Sequence, residues 1–253
     1  SRDDLVAALG DKITVQESDW NCVLMATANS KNKPFDDIRV RQALTLAVDR
    51  YSASKYLSNI AIVKTVGGIV FPGHPLAASQ AEMEQLIGYS KDIEASRAKA
   101  RQLLKDAGVP EGFKFIFNNR GVDQPYKVVG TWLVDQWRKV GLDPQQTVKP
   151  SPQFYATLRK KYDFDVSIDF NCQSVINPIA DVSKFLCSAG NNYSQCDNQE
   201  IEDLYDKAAV DFAGSSITLW WYKINPHRSY VKGWNIAPSH YLNQHLDNVW
   251  LDQ

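Results

Sequence analysis

The sequence predicts an α/β fold, with a mixed, mainly parallel sheet and flanking helices. Three observations lead there. From residue 92 to 170, helix-period and strand-period segments alternate in the order α-β-α-β-α-β; such alternation favours parallel strands with helices packed on them. Most of the helical segments carry their own start and stop residues. The chain has 253 residues and 44% hydrophobic content, enough for one large core or two modest ones.

The elements follow in order. Asp36 and Asp37 cap a helix predicted over 38–50, where Val40, Ala43, Leu44 and Ala47 form one apolar face. Val66 to Pro75 (VGGIVFPGHP) predicts turns and an irregular path. Asp92 caps a second helix running to Ala107, ended by Gly108 and Pro110. Phe113, Phe115 and Phe117 alternate as a strand. Gln124 to Val140 predicts a third helix, ended by Gly141, and Thr147 to Lys149 a short strand. Ser151 as N-cap and Pro152 in the first turn start a fourth helix. Phe164, Val166, Ile168 and Phe170 alternate with Asp165, Ser167 and Asp169 in a strand. Ile201 to Phe212 predicts a further helix, and the last forty residues predict short strands and loops. No internal repeat or low-complexity tract appears.

Composition excludes several classes. With 28 Lys+Arg against 29 Asp+Glu, there is no electrostatic case for nucleic acid or an anionic membrane. No stretch reaches the roughly 18 apolar residues that span a bilayer. Ser1-Arg2-Asp3-Asp4 has no apolar signal-peptide core, which leaves export open because a signal is removed from a secreted protein. These first residues look like mid-domain sequence, as in a fragment. Cys22, Cys172, Cys187 and Cys196 permit three pairings, and a local Cys187–Cys196 bridge across Gly190-Asn191-Asn192 competes with four buried thiols.

Diagnostic reaction motifs are missing. There is no G-x-S-x-G, P-loop, G-x-G-x-x-G or H-E-x-x-H. His240 and His245 are five apart and share no helical face, and His74 and His227 are remote. The expectation is therefore no enzyme, no cofactor and no metal site.

The string Asn32-Lys33-Pro34-Phe35-Asp36-Asp37-Ile38-Arg39-Val40-Arg41-Gln42-Ala43-Leu44, continuing to Asp49-Arg50, resembles the signature of the family 5 extracytoplasmic solute-binding proteins. Further segments match in order. They are Ala98 to Gly108, Asp135 to Leu142, Phe154 to Leu158, and the closing Val231-Lys232-Gly233-Trp234 and Trp250-Leu251. The resemblance covers nearly the whole chain. It implies a lobe like those of type II periplasmic-binding proteins and a substrate-binding role in an ABC importer for peptides, opines, nickel complexes or similar solutes. Residues 1–230 would form the second ligand-binding lobe, and 231–253 would return to the first. Two departures stand out: the sequence of the first lobe is absent, and only Phe212 to Ser216 stands where the family carries another helix.

Solutes in open α/β lobes sit off the carboxyl ends of strands. Asn119 and Arg120 lie at one such end, and Arg120 is the best carboxylate-binding candidate because a guanidinium grips a carboxylate bidentately. Asp169, Asn171, Gln173 and Ser174 lie at another. In peptide-binding relatives an aspartate there holds the ligand's amino group; Ser174 takes its place here. That substitution favours an opine-like, sugar-like or modified amino-acid solute over an ordinary peptide, unless Asp169 replaces the charge. Trp20 and Asn21 face the cleft or pack in the core. The resemblance implies an extracytoplasmic protein whose partners are a small-molecule solute and a membrane permease. Two rivals remain: a single lobe that self-associates through its exposed inter-lobe face, and an α/β enzyme.

Overall fold

A computed structural model describes residues 2–173, 182–206, 215–233 and 250–251. The helices are α1 (Arg2–Leu9), α2 (Ile38–Leu46), α3 (Arg50–Ile60), α4 (Gln80–Gln85), α5 (Ile93–Asp106), α6 (Val128–Arg138), α7 (Ser151–Ala156) and α8 (Gln199–Asp206). The strands are β1 (Ile13–Ala28), β2 (Val63–Thr65), β3 (Phe113–Arg120), β4 (Leu142–Lys149), β5 (Val166–Cys172), β6 (Ser215–Arg228), β7 (Val231–Lys232) and β8 (Trp250–Leu251). Six strands form one sheet in the order β2-β6-β1-β5-β3-β4, and β7 pairs with β8.

The sheet is mixed, as expected, but it is not mainly parallel: β2-β6-β1-β5 pair antiparallel and only β5-β3-β4 pair parallel. These are the strands joined by helical crossovers, the connection that parallel pairing requires. β1 and β6 run antiparallel to their neighbours, and β1 joins the two halves by pairing with both β5 and β6. The last forty residues hold the expected short strands β7 and β8 and, unexpectedly, the long β6. Its Leu219, Trp220 and Trp221 are consecutive and all buried, so no alternation marks them as a strand.

Both faces of the sheet are covered. One carries the main core, including Leu24, Ile168, Phe117, Leu133, Trp137 and Leu158. The other carries a smaller cluster of Val23, Met25, Phe71, Val182, Phe185 and Trp220. Alternation along β1 sends successive side chains to opposite layers.

Several boundaries differ from expectation. The helix predicted over 38–50 splits in two: α2 ends at Leu46, and Asp49 caps α3 by accepting from Ser52 N at 3.0 Å. Asp37, as expected, caps α2. The third helix starts at Val128, after a wide turn over Asp123–Lys127. β4 extends back to Leu142 and tolerates Pro144 because it is an edge strand. Ser151 does not cap α7; Pro150 holds that position. Asp92 and Gly108 bound α5 as expected, with Gly108 at φ +74°. Residues 66–75 form neither helix nor strand. The end of the predicted 201–212 helix, the short Phe212–Ser216 link up to Gly214, Trp234, His240 and His245 lie outside the described residues.

Two disulfides form, Cys187–Cys196 and Cys22–Cys172, so the buried-thiol alternative is set aside. Cys22 and Cys172 are register partners on β1 and β5.

Candidate functional site

The site begins where two strands part. β3 pairs with β4 along its whole length, up to Arg120 opposite Lys149. With β5 it pairs only at Phe117–Val166 and Asn118–Ser167. Beyond Ser167, β5 follows β1 alone as far as Cys172. A crevice therefore opens between the carboxyl ends of β3 and β5, next to the β5–β1 pair at which the sheet changes from parallel to antiparallel. Strand ends at such a switch are the usual ligand position in open α/β sheets.

Aromatic rings line it. Tyr126 sits edge-on to Phe170 at 5.9 Å and to Trp221 at 6.0 Å. Trp20 meets Trp221 edge-on at 5.1 Å. Burial pushes the Tyr126 phenol well above its ordinary value, so it stays protonated. Arg120 lies over this cluster, its guanidinium carbon 4.8 Å from the Tyr126 ring centre and 5.3 Å from that of Tyr155. Its Nε donates to Ser151 Oγ at 2.9 Å, which gives that serine a role other than capping. Among the described residues Arg120 forms no ion pair.

The other expected residues fall in different places. Asn119 is fully buried against Gly130, where even a Cβ would come within 2.0 Å of Asn119 Nδ2. Among the described residues neither polar atom of its side chain has a hydrogen-bond partner. It lies beneath the surface. Asn21 is also fully buried, and its amide donates to the Gln173 carbonyl. Gln173 faces inward: Phe71 N donates to its Oε1 at 2.9 Å, and its Nε2 donates to Ile69 O at 2.6 Å. It pins the glycine-rich 66–75 segment to the sheet. Asn171 is buried and paired in register with Val23. Trp20 is half-buried and packs on the main core. Ser174 lies outside the described residues.

Asp169 is not a spare charge. It is buried, and Lys184 Nζ meets its Oδ2 at 2.9 Å. Thr27 Oγ1 donates to the same oxygen at 3.4 Å, and Phe170 N donates to Oδ1 at 2.8 Å. Burial raises the Asp169 carboxyl, and the Lys184 ammonium opposes that rise. Lys184 also donates to Asn191 O at 2.7 Å and sits 4.7 Å from the Tyr193 ring centre. The ion pair thus fastens the disulfide-closed 187–196 loop to the sheet.

Sequence reasoning missed Tyr155, Arg159, Lys184 and Tyr193. Arg159 stacks over Tyr155 at 4.8 Å, and its Nε donates to Tyr193 Oη at 3.1 Å. Tyr155 and Arg159 are spaced i, i+4 on one helical path, a usable signal for a stacked pair. Lys184 and Asp169 are fifteen positions apart, with no periodicity to connect them. A separate groove of about 600 Å³ between α6 and β4, lined by Thr131, Val134, Arg138 and Gln146 among others, includes none of the expected residues. Among the described residues no group of His, Cys, Asp and Glu could hold a metal, and no helix is long and apolar enough to cross a membrane.

Known proteins agree with this architecture. Di/tripeptide-binding protein 1 of Pseudomonas aeruginosa (strain UCBPP-PA14) is 34% identical over 118 residues, 45% of this chain and 20% of that protein. The dipeptide-binding protein of Escherichia coli (strain K12) is 26% identical over 203 residues, 76% of this chain and 36% of that protein. The solved structure of the periplasmic binding protein DppA from Helicobacter pylori, in complex with peptide STSA, superposes with a TM-score of 0.74 at 19% identity. That match covers 99% of this chain and 51% of the other. Haemophilus influenzae OppA, in complex with RPPGFSPFR, gives 0.73 at 19%, covering 99% and 52%. At such identities the structures establish the fold, that of type II periplasmic binding proteins. The chain spans about half the length of these solved proteins and less of the curated ones. The family is one of extracellular binding proteins rather than enzymes. Residues 3–193 match its model, "Bacterial extracellular solute-binding proteins, family 5 Middle", and the chain belongs to that family.

Proposed function

We propose that this chain supplies one face of the solute site in the substrate-binding component of an ABC importer. Its solute is a small organic compound, peptide-like or opine-like, held between two lobes. Residues 1–230 act as the second lobe and 231–253 as the return toward the first. Closure of the lobes around the solute would present the protein to its membrane permease, because only the closed form contacts the solute from both sides.

One observation supports this reading above the others: Arg120, without an ion-pair partner among the described residues, lies over Tyr126 and Tyr155 at the parting of β3 and β5. A guanidinium fixed through Nε, stacked on rings and touching a neutral phenol can still turn its outer fork to a carboxylate. The aromatic floor accepts the apolar part of the same molecule. The relatives' printed descriptions, which include dipeptide, glutathione and heme binding, are consistent with a solute of this size range.

The test is a titration of the 253-residue chain, followed by ¹H–¹⁵N NMR, with Met-Leu and with glutathione up to about 10 mM, which detects the millimolar affinity expected of half a site. Support would be saturable shifts centred on residues 118–126, 155 and 170–173 that vanish in Arg120→Gln. No shift with either probe, together with a mass that rises with concentration, would overturn it in favour of a self-associating lobe.

A further inference from the structure

Two guanidinium groups share one tyrosine. Arg120 and Arg159 both stack on Tyr155, at 5.3 Å and 4.8 Å, so their central carbons lie within about 10 Å of each other. Each is anchored in the same way. Arg120 spends its Nε on Ser151 Oγ, and Arg159 spends its Nε on Tyr193 Oη. Neither forms an ion pair among the described residues. Among the described residues the Nη end of Arg159, which grips carboxylates bidentately, remains available, and that of Arg120 leans on the Tyr126 hydroxyl, from which a carboxylate can draw it.

Neighbouring charge balances them only in part: Asp169 acts on Arg159 from a distance and is itself shared with Lys184. Lys149 stands opposite Arg120 in the strand register and donates to Thr157 Oγ1 at 3.1 Å. The buried carboxylate in this region, Asp169, is held by Lys184. Like charges held this close repel, and the cost falls when an anion lies between them. A zwitterionic peptide would bring an ammonium group to a surface whose described residues offer it no free carboxylate.

We infer that the crevice selects a solute with two anionic groups, one gripped by Arg120 and the second by Arg159, with Tyr155 as the spacer between them. This rests on the reading of Arg120 as the first anion contact and adds a specificity-determining residue to it. The spacing suits carboxylates separated by a short carbon chain. A longer molecule fits if both of its acidic groups lie toward one end.

The probes are glutarate and its monoamide, which match in length and differ by one charge. Each is titrated into the 253-residue chain and its Arg159→Gln, Arg159→Lys and Arg120→Gln variants, with ¹H–¹⁵N NMR as the readout. Glutarate is expected to bind the unaltered chain about tenfold more tightly than the monoamide, as a second charge-assisted fork allows. Arg159→Gln should remove that preference while leaving monoamide affinity within about twofold, and Arg159→Lys should restore part of it. Arg159 is exposed, so these variants should keep the parent spectrum elsewhere. Arg120→Gln should weaken both probes. Equal affinity for the two probes, or a preference untouched by Arg159→Gln, would overturn the two-anion reading and leave Arg120 standing. Failure of both probes to shift residues 118–126 and 155 would overturn both readings together.

Discussion

Gln173 and Phe71 lie 102 positions apart in the chain, and the Phe71 N–H donates to the Gln173 side chain at 2.9 Å. The same amide donates to Ile69 O. Trp220 Nε1 holds Gly68 O at 3.2 Å, and the Tyr89 hydroxyl holds Gly67 O at 3.0 Å. An irregular segment with no ladder of its own is thus fixed by three side chains. Gln173→Leu should leave one buried N–H and one C=O unpaired, costing about 2–4 kcal/mol. Urea unfolding would give the cost, and amide exchange at Phe71 should accelerate well before that at Leu24.

Asp169 and Lys184 should behave as a buried pair. Either Asp169→Asn or Lys184→Met alone strands a partner and should cost about 3–5 kcal/mol. The double variant should cost clearly less than the two single costs combined. A double-mutant cycle by denaturant unfolding gives the coupling, and strictly additive costs would mean that the pair does not act as one.

Arg50 is fully buried and donates to carbonyls. Its Nη1 reaches Gly88 O at 2.6 Å and Thr45 O at 3.2 Å, its Nη2 reaches Thr45 Oγ1 at 2.8 Å, and its guanidinium lies over Tyr89. Gly88 sits at φ +84°, and an added Cβ there would meet Thr45 O at 2.9 Å. Gly88→Ala should therefore cost about 1–3 kcal/mol from backbone strain alone, visible as a lowered Tm. An unchanged Tm would mean that the 86–90 turn adjusts freely.

The cap of α2 gives a pH prediction. Hydrogen bonds from the Arg39 side chain and backbone hold the Asp37 carboxyl below its ordinary value of 3.8. A depressed folded value means that the contribution is fully present above the ordinary value and is lost as pH falls through the lower, folded one. The pair is open to solvent on the Arg39 side, so the effect on global stability is small. A carboxyl titration by NMR from about pH 5 to about pH 2 should show Asp37 titrating below the exposed aspartates, and Arg39→Ala should bring it back up.

The sequence reveals the helices and strands between 92 and 170 because each has an uninterrupted period and chemical stops such as Asp92, Gly108 and Gly141. It reveals Arg120 at a strand end for the same reason. What it hides has physical causes. β1 is buried on both faces from Asn21 onward, so alternation is lost there. The break between α2 and α3 has no Gly or Pro; Asp49 marks it only through its cap to Ser52. Asn119, Asn171 and Gln173 are polar residues at strand ends, which from sequence look like ligand contacts, yet tertiary packing turns them inward. The Asp169–Lys184 pair and the Cys22–Cys172 pairing depend on contacts between separate segments that no local spacing marks.

The Cys22–Cys172 link makes everything between those residues a closed covalent ring. α2 through α7 and strands β2, β3 and β4 hang within it, while the chain before Cys22 and after Cys172 leaves from one point, like the two cords of a pendant. A protease that nicks any loop inside the ring opens the chain without releasing a piece. The clasp stands beside the crevice, and β6, Gln173 and Lys184 stitch the outer cords to the ring at further points.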